Sequence, residues 1–349
     1  MPSHISHFIF AHNALHKSTS EASVIIKKAG NFFYLGSQGP DIFYHNLRTR
    51  PVGIRMGTLL HKRNFGNFIA AMAEYLITKA AQNGSIKLEA AAYLLGFATH
   101  AELDRTTHPY IISKSGWVTE KNLFKDKYFR CHTFLERLLD VAALKSFKNI
   151  RLEDFDFFSN IYCGDTLPSE IIKMIDFSIQ KTYPNQNYIN LQELRITNAY
   201  LDSIRFYALT DHRNPYLFKK ALEKDRKENY KYKRIAVFHL ENTGEELDPA
   251  NLRHLEWQHP FMKNLTSFES YVDLMNISWN SIIPKLRVLA DSIGLGSPTN
   301  LTSNLSFSQT SNLFGNNNLY TNIDGGNDIP INSTPLPLQE LFLKIYNSS

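Results

Sequence analysis

The chain has 349 residues, of which 43% are hydrophobic, 13% aromatic and 20% charged, so it can bury a sizeable core and is not an intrinsically disordered chain. Its formal net charge of +5 is spread over 38 basic and 33 acidic residues, weak grounds for a nucleic acid or an anionic membrane as partner. Two isolated cysteines, Cys131 and Cys163, make neither a disulfide framework nor a thiolate zinc site, which leaves nitrogen and oxygen as the donors for any metal.

At the N-terminus, Met1–His7 lacks a basic segment followed by a long apolar run, and no uninterrupted apolar stretch of about 18 residues occurs anywhere. The expected compartment is the cytoplasm, with no transmembrane segment. Gly36-Ser37-Gln38-Gly39-Pro40-Asp41 reads as a rigid turn. Helical spacing of apolar residues then predicts helices within Gly57–Ala81, Leu88–His108 and Lys125–Ala143, with Asn83-Gly84-Ser85 and Pro109 as breakers.

Further on, Lys219–Arg234 holds eight Lys/Arg interrupted by Glu223, Asp225 and Glu228. Such mixed signs favour a solvated helix face over a patch that meets lipid headgroups or phosphate. Arg234–Leu240 is the best strand candidate, and a short one. A helix from Phe268 to about Asp291 stops at Gly294-Leu295-Gly296-Ser297-Pro298. Residues 296–337 shift to Asn, Ser, Thr and Gly, which predicts a flexible linker. In 338–349, Leu341, Phe342 and Ile345 leave open either a short helix docking on the domain or on a partner, or a frayed tail. The expected architecture is all-α: one multi-helical domain over 1–295, a linker over 296–337 and a tail segment over 338–349. No internal repeat is present.

The 13 histidines cluster in the first part of the chain, several in register with carboxylates. His100, Asp104 and His108 stand four apart, so they stack along one helical face, and His132 and Glu136 repeat that spacing in a second helix. Alone, each such pair is more often an ordinary surface pair. Together they form a set that suits zinc, which accepts imidazole nitrogen and carboxylate oxygen and keeps a position open for water in catalytic sites. Asp41, at the end of the glycine-rich turn, and His61, in the apolar Gly57-Thr58-Leu59-Leu60-His61, are the upstream candidates.

The order of these motifs resembles the zinc-dependent phospholipase C family, which is related to the S1/P1-type nucleases. The similarity runs through about residues 1–145, with a weaker echo at Trp257-Gln258-His259-Pro260 and Ser267-Phe268. It implies an all-helical hydrolase of phosphate esters that uses metal-activated water. By the same resemblance Asp41, His61, His100 and Asp104 hold one zinc, with Asp104 bridging to a second. His108, His132 and Glu136 hold that partner ion. A third zinc would take His7 and Asp104, with His4 the competitor for the His7 role. The resemblance also makes Asp41 the general base. Where secreted members expose a tryptophan at a processed N-terminus, this chain begins Met1-Pro2, and Asp104-x-x-x-His108 is shorter than in those enzymes.

The implied substrate is a phospholipid or another phosphodiester. The alternatives are a nuclease, which should show stacking platforms and a basic groove, and a non-catalytic, metal-stabilised binding or structural protein with the linker and Leu338–Tyr346 as a partner-binding element; a tail folded over the ligands would argue against catalysis. The identity of any protein partner is unknown from the sequence. Phe43, Tyr44, Tyr110 and Trp117 lie near the candidate ligands in sequence, but most aromatics in such a chain pack with one another.

Overall fold

Helix Leu88–Ser115 runs through the middle of the molecule and is buried from Ala90 to Ser115 along most of its surface. The computed structural model describes residues 4–18, 21–49, 52–85, 87–185, 193–241, 244–295, 305–323 and 329–348. Against the central helix lies Gly30–Ser37, so close that the two backbones touch: a Cβ on Gly36 would collide with the Tyr93 carbonyl, and one on Gly96 with the Phe33 carbonyl. Glycine at both positions permits the approach. The turn that follows Ser37 is thereby laid onto the face that carries His100.

Helices His4–Lys17, Phe65–Asn83, Cys131–Ala143 and Tyr271–Ser292 pack around this pair. Tyr271–Ser292 opens with a capping box in which Ser270 and Asp273 satisfy each other's backbone N–H groups, so it begins later than the apolar pattern suggested. Among the described residues there are 14 α-helices, and the sole sheet is an antiparallel pair, Trp257–Gln258 with Thr266–Ser267. The fold is all-α, and no described helix is long and apolar enough to cross a membrane.

Several local expectations need correction. Pro109 does not end its helix. The missing N–H and the ring clash cost about 3 kcal/mol, less than the packing of the buried turns on both sides of it. Gly57–Ala81 is two helices, Val52–Lys62 and Phe65–Asn83, parted at Asn64 in the left-handed region (φ 63°). Helix Cys131–Ala143 starts late because Asp126 draws the preceding chain into a turn, accepting the N–H groups of Thr119, Glu120 and Tyr128. Arg234–Leu240 is no strand: Arg234–Val237 is a 3-10 turn, pinned where the buried Asp225 accepts the Ile235 N–H and the Arg234 guanidinium. That pairing also shows that part of the basic run Lys219–Arg234 is engaged inward.

The described part of 296–337 is not a structureless linker. Ser306 and Gln309 form a capping box that starts helix Phe307–Phe314, which packs on Phe65–Asn83, and Leu319 is wholly buried. Its asparagines act as backbone partners: Asn316 Oδ1 accepts the Asn67 N–H at 3.0 Å and Asn318 Oδ1 the Tyr320 N–H at 2.8 Å. Residues 296–304 and 324–328 lie outside the described part. Downstream, Leu338–Ser348 is a docked helix, with Phe342 stacked on Phe134 at 4.3 Å and Leu338, Leu341 and Tyr346 buried.

Candidate metal centre

Gly39 adopts φ 55° and presses against the His100 ring, where a Cβ would overlap it. This left-handed residue starts the short 3-10 helix Gly39–Phe43 and turns Asp41 inward to 1% exposure. Helix Leu88–Ser115 supplies His100, Asp104 and His108; helix Val52–Lys62 supplies His61; helix His4–Lys17 supplies His7; helix Cys131–Ala143 supplies His132 and Glu136. Six of these sit on three helices at the four-residue or single-position placements read from the sequence, and Asp41 and His7 complete the ring.

Asp104 stands between the groups. Its Oδ2 lies 3.1 Å from His100 Nε2 and 3.5 Å from His61 Nε2, and its Oδ1 lies 3.2 Å from His7 Nε2 and 3.4 Å from His108 Nδ1. Asp41 Oδ1 is 3.1 Å from His61 Nε2, and Oδ2 is 3.8 Å from His100 Nε2. In the second group His132 Nε2 lies 3.0 Å and His108 Nε2 4.0 Å from Glu136 Oε1. Three sets of donor atoms gather within 4.8 Å: His7, Asp41 and His100; His61, His100 and Asp104; and His108, His132 and Glu136. All eight sequence candidates thus meet in one continuous cluster.

The electrostatics show what the cluster lacks. His61 Nδ1 lies 2.7 Å from the Gly57 carbonyl and His100 Nδ1 3.2 Å from the Ser37 carbonyl. A carbonyl only accepts, so those nitrogens carry protons, which leaves Nε2 of each ring as the atom that would offer its lone pair to a metal. The two Nε2 atoms are 3.3 Å apart. That is the spacing of two donors on one tetrahedral zinc with bonds of about 2.0–2.1 Å. Both oxygens of Asp41 and Oδ2 of Asp104 are buried with imidazole nitrogens as their near neighbours and no backbone or hydroxyl donor. Burial pushes Asp41 and Asp104 up, but the surrounding imidazoles outweigh it and hold both carboxyls below the usual range, Asp104 well below. Burial likewise pushes His7 and His61 down, yet Asp104 and Asp41 raise them above the ordinary imidazole value. His108 goes the other way, to about 4, because burial prevails over Asp104. Two carboxylates buried among imidazole nitrogens favour positive charge at this place, and the nitrogen–oxygen donor set fits zinc.

Access is on one side. Seven of the candidates are buried, whereas the His132 side chain is 27% exposed. Against His61 the rim is formed by Tyr44 and Tyr320, both partly exposed, with hydroxyls 2.9 Å apart. Tyr320 stacks on His61 at 5.2 Å and stands edge-on to His108 at 4.8 Å. The Leu319 N–H donates to the His61 carbonyl at 2.7 Å. Arg105 holds the carbonyls of Phe314 and Gly315. Sequence reasoning missed Tyr320, since it falls in the Asn/Ser-rich stretch and no spacing ties it to the ligands.

His4 is not part of this centre. It joins Asp140 and His239 in a second buried group, but there Arg137 donates to His4 Nδ1 at 2.8 Å and pairs with Asp140 at 3.3 Å. Asp140 also accepts the Ser6 N–H at 2.7 Å and lies 2.8 Å from His239 Nε2. The guanidinium already supplies the positive charge, and the carboxylate caps the start of helix His4–Lys17. His45 also stands apart, stacked on Phe206 at 4.1 Å.

Residues 3–176 match the family model described as zinc dependent phospholipase C, and that span contains all eight residues of the cluster. The chain belongs to this family. Comparison with the curated proteins and with the solved structures gives no match.

Proposed function

We propose that the protein hydrolyses phosphate esters of the phospholipid class by zinc-dependent phospholipase C chemistry. The observation that carries this reading is the His61–His100 Nε2 pair at 3.3 Å, enclosed by the carboxylates of Asp41 and Asp104. Asp41, His61, His100 and Asp104 would hold one ion and His108, His132 and Glu136 a second, with Asp104 shared; His7 with Asp104 offers a third position. Bound zinc supplies Lewis acidity, lowering the pKa of water and offsetting charge on phosphoryl oxygens.

The chain's own groups do the rest. Asp41 Oδ2, the less engaged of its two oxygens, accepts the proton of the attacking water. The backbone carbonyls of Gly57 and Ser37 fix the His61 and His100 tautomers, so those rings cannot drift into a donating orientation. The Tyr44–Tyr320 hydroxyl pair at the rim uses one O–H between its members and has one other to offer a phosphate oxygen, and the rings narrow the entrance.

Elemental analysis of the purified protein, combined with phosphatidylcholine and soluble phosphodiester substrates, tests the reading. Zinc together with diacylglycerol release supports it. The Tyr320 segment lying over the cluster favours a second reading, a metal-stabilised binding protein without turnover. Bound zinc with no hydrolysis of any of these esters would select that one.

A further inference from the structure

The segment between the two ligand-bearing helices leads straight to His132, the most exposed of the candidate ligands, and it presents a surface the hydrolytic site does not use. Trp117, Leu123 and Phe124 are 36%, 53% and 43% exposed. Looseness does not explain this, because the segment is wound around the buried Asp126, whose carboxylate accepts three backbone N–H groups at 2.7–3.0 Å. The apolar side chains are held outward by an ordered turn.

Their neighbours are cations. Exposed Lys121, Lys125 and Lys127 face one exposed acid in this segment, Glu120, while Asp126 is turned inward. The end of the basic run Lys219–Arg234 comes alongside: Lys231 Nζ lies 5.1 Å from the Phe124 ring and 5.2 Å from Tyr232, and Phe124 stands edge-on to Tyr232 at 5.0 Å. On that side Glu228 is paired with Arg234 at 2.6 Å. Aromatic and aliphatic tips level with ammonium groups suit one environment, the boundary between acyl chains and anionic headgroups, where rings sit at headgroup depth and lysines gain from the surface potential.

We propose that Trp117, Leu123 and Phe124, with Lys121, Lys125 and Lys231, form a docking surface for an anionic phospholipid membrane, which brings the bilayer to the His132 side of the metal cluster. The surface deepens the phospholipid reading but is measured separately from it, as binding. The aliphatic Leu123, 53% exposed between these lysines, favours acyl chains over a nucleic acid, which stacks its bases on aromatic rings.

The test uses the full chain and vesicles of phosphatidylcholine, alone or equimolar with phosphatidylserine. Co-sedimentation is expected to be strong on the mixed vesicles and weak on phosphatidylcholine. Tryptophan emission should shift to the blue, a change that reports Trp117 because Trp257 and Trp279 are already buried. Lys121→Glu with Lys125→Glu should lower the partition coefficient by about 25-fold or more, on the order of five-fold for each lysine removed from an anionic surface. Leu123→Ser with Phe124→Ser should abolish the emission shift, and both pairs should keep hydrolysis of a soluble phosphodiester. Absent vesicle binding by the unaltered chain overturns the proposal, as does binding indifferent to both pairs of substitutions, or a lysine-dependent affinity for single-stranded oligonucleotide in place of vesicles. Vesicle binding with the expected sensitivities but no hydrolysis would leave the docking surface standing and remove only the hydrolytic reading. The emission shift of the unaltered protein decides the matter even if a variant fails to fold.

Discussion

Asp104 Oδ1 stands 3.2 Å from His7 Nε2, which ties the first helix of the chain to the carboxylate that also faces His100 and His108. One side chain therefore serves donors on both sides of the cluster. Asp104→Asn should lower zinc content by more than one equivalent, because an amide offers one carbonyl oxygen where the carboxylate offers two. Metal analysis of the dialysed variant checks this; a stoichiometry equal to that of the unaltered chain would show that Asp104 does not bridge.

Under the proposed mechanism, replacing Asp41 separates proton transfer from metal retention. Asp41→Asn is nearly isosteric, and the remaining candidates still provide a donor set, so turnover should fall by about 10²–10⁴-fold, the usual share of a general base. Zinc content should fall far less. The two are measured on the same preparation: unchanged turnover takes Asp41 out of the mechanism, and losses in strict proportion leave it only a ligand.

Much of the cluster is legible in the sequence because it is periodic. His100, Asp104 and His108, and likewise His132 and Glu136, are neighbours by helical geometry alone, and their proximity needs no tertiary information. Asp41 and His61 are visible through a turn and an apolar helix start. What escapes is contact between distant segments. Arg137 beside His4, and Tyr320 over His61, join residues with no shared period. Composition also misleads: the Asn/Ser-rich stretch has few apolar residues, but its side chains take up backbone hydrogen bonds and orient the few it has. Pro109 signals a helix end only by its local cost, which tertiary burial exceeds.

Tyr320 makes the rim testable. Tyr320→Phe keeps the stacked ring and loses only the contact with the Tyr44 hydroxyl, so zinc should leave to a chelator at nearly the original rate. Tyr320→Ala removes the ring over His61 and His108, and zinc loss should quicken by about 3- to 10-fold, the equivalent of one aromatic contact. Equal rates in all three proteins would mean that the ring does not guard the cluster.

The C-terminal helix is part of the core rather than an appendage. Phe342 is 1% exposed and stacked on Phe134, in the same helix as His132 and Glu136. Phe342→Ala should destabilise the protein by about 3 kcal/mol, as for other buried phenylalanines. Denaturant titration measures it, and a change under about 0.5 kcal/mol would show that this helix contributes little.

One contribution to the dependence of stability on pH comes from His45, which lies outside the candidate metal cluster. Burial, aided by Arg137, lowers His45 from 6.5 to about 3, against a partial pull upward from Asp41. The unfolded chain thus binds a proton at His45 below about pH 6.5 while the folded chain does not. A group depressed in this way contributes stability that is complete above the unfolded value and is lost as pH falls toward the folded value. Between neutral pH and pH 5 the loss from His45 is about 2 kcal/mol. His239, lowered by burial to about 4, adds to the same trend, whereas the raised His7 and His61 oppose it in the metal-free chain. The comparison that isolates His45 is therefore between the unaltered chain and His45→Gln, each unfolded by denaturant at about pH 7.5 and about pH 5. The variant should lose about 2 kcal/mol less on acidification and keep its zinc content, because His45 packs on Phe206 outside the cluster. Parallel losses in the two proteins would mean that His45 is protonated in the folded state or screened from burial.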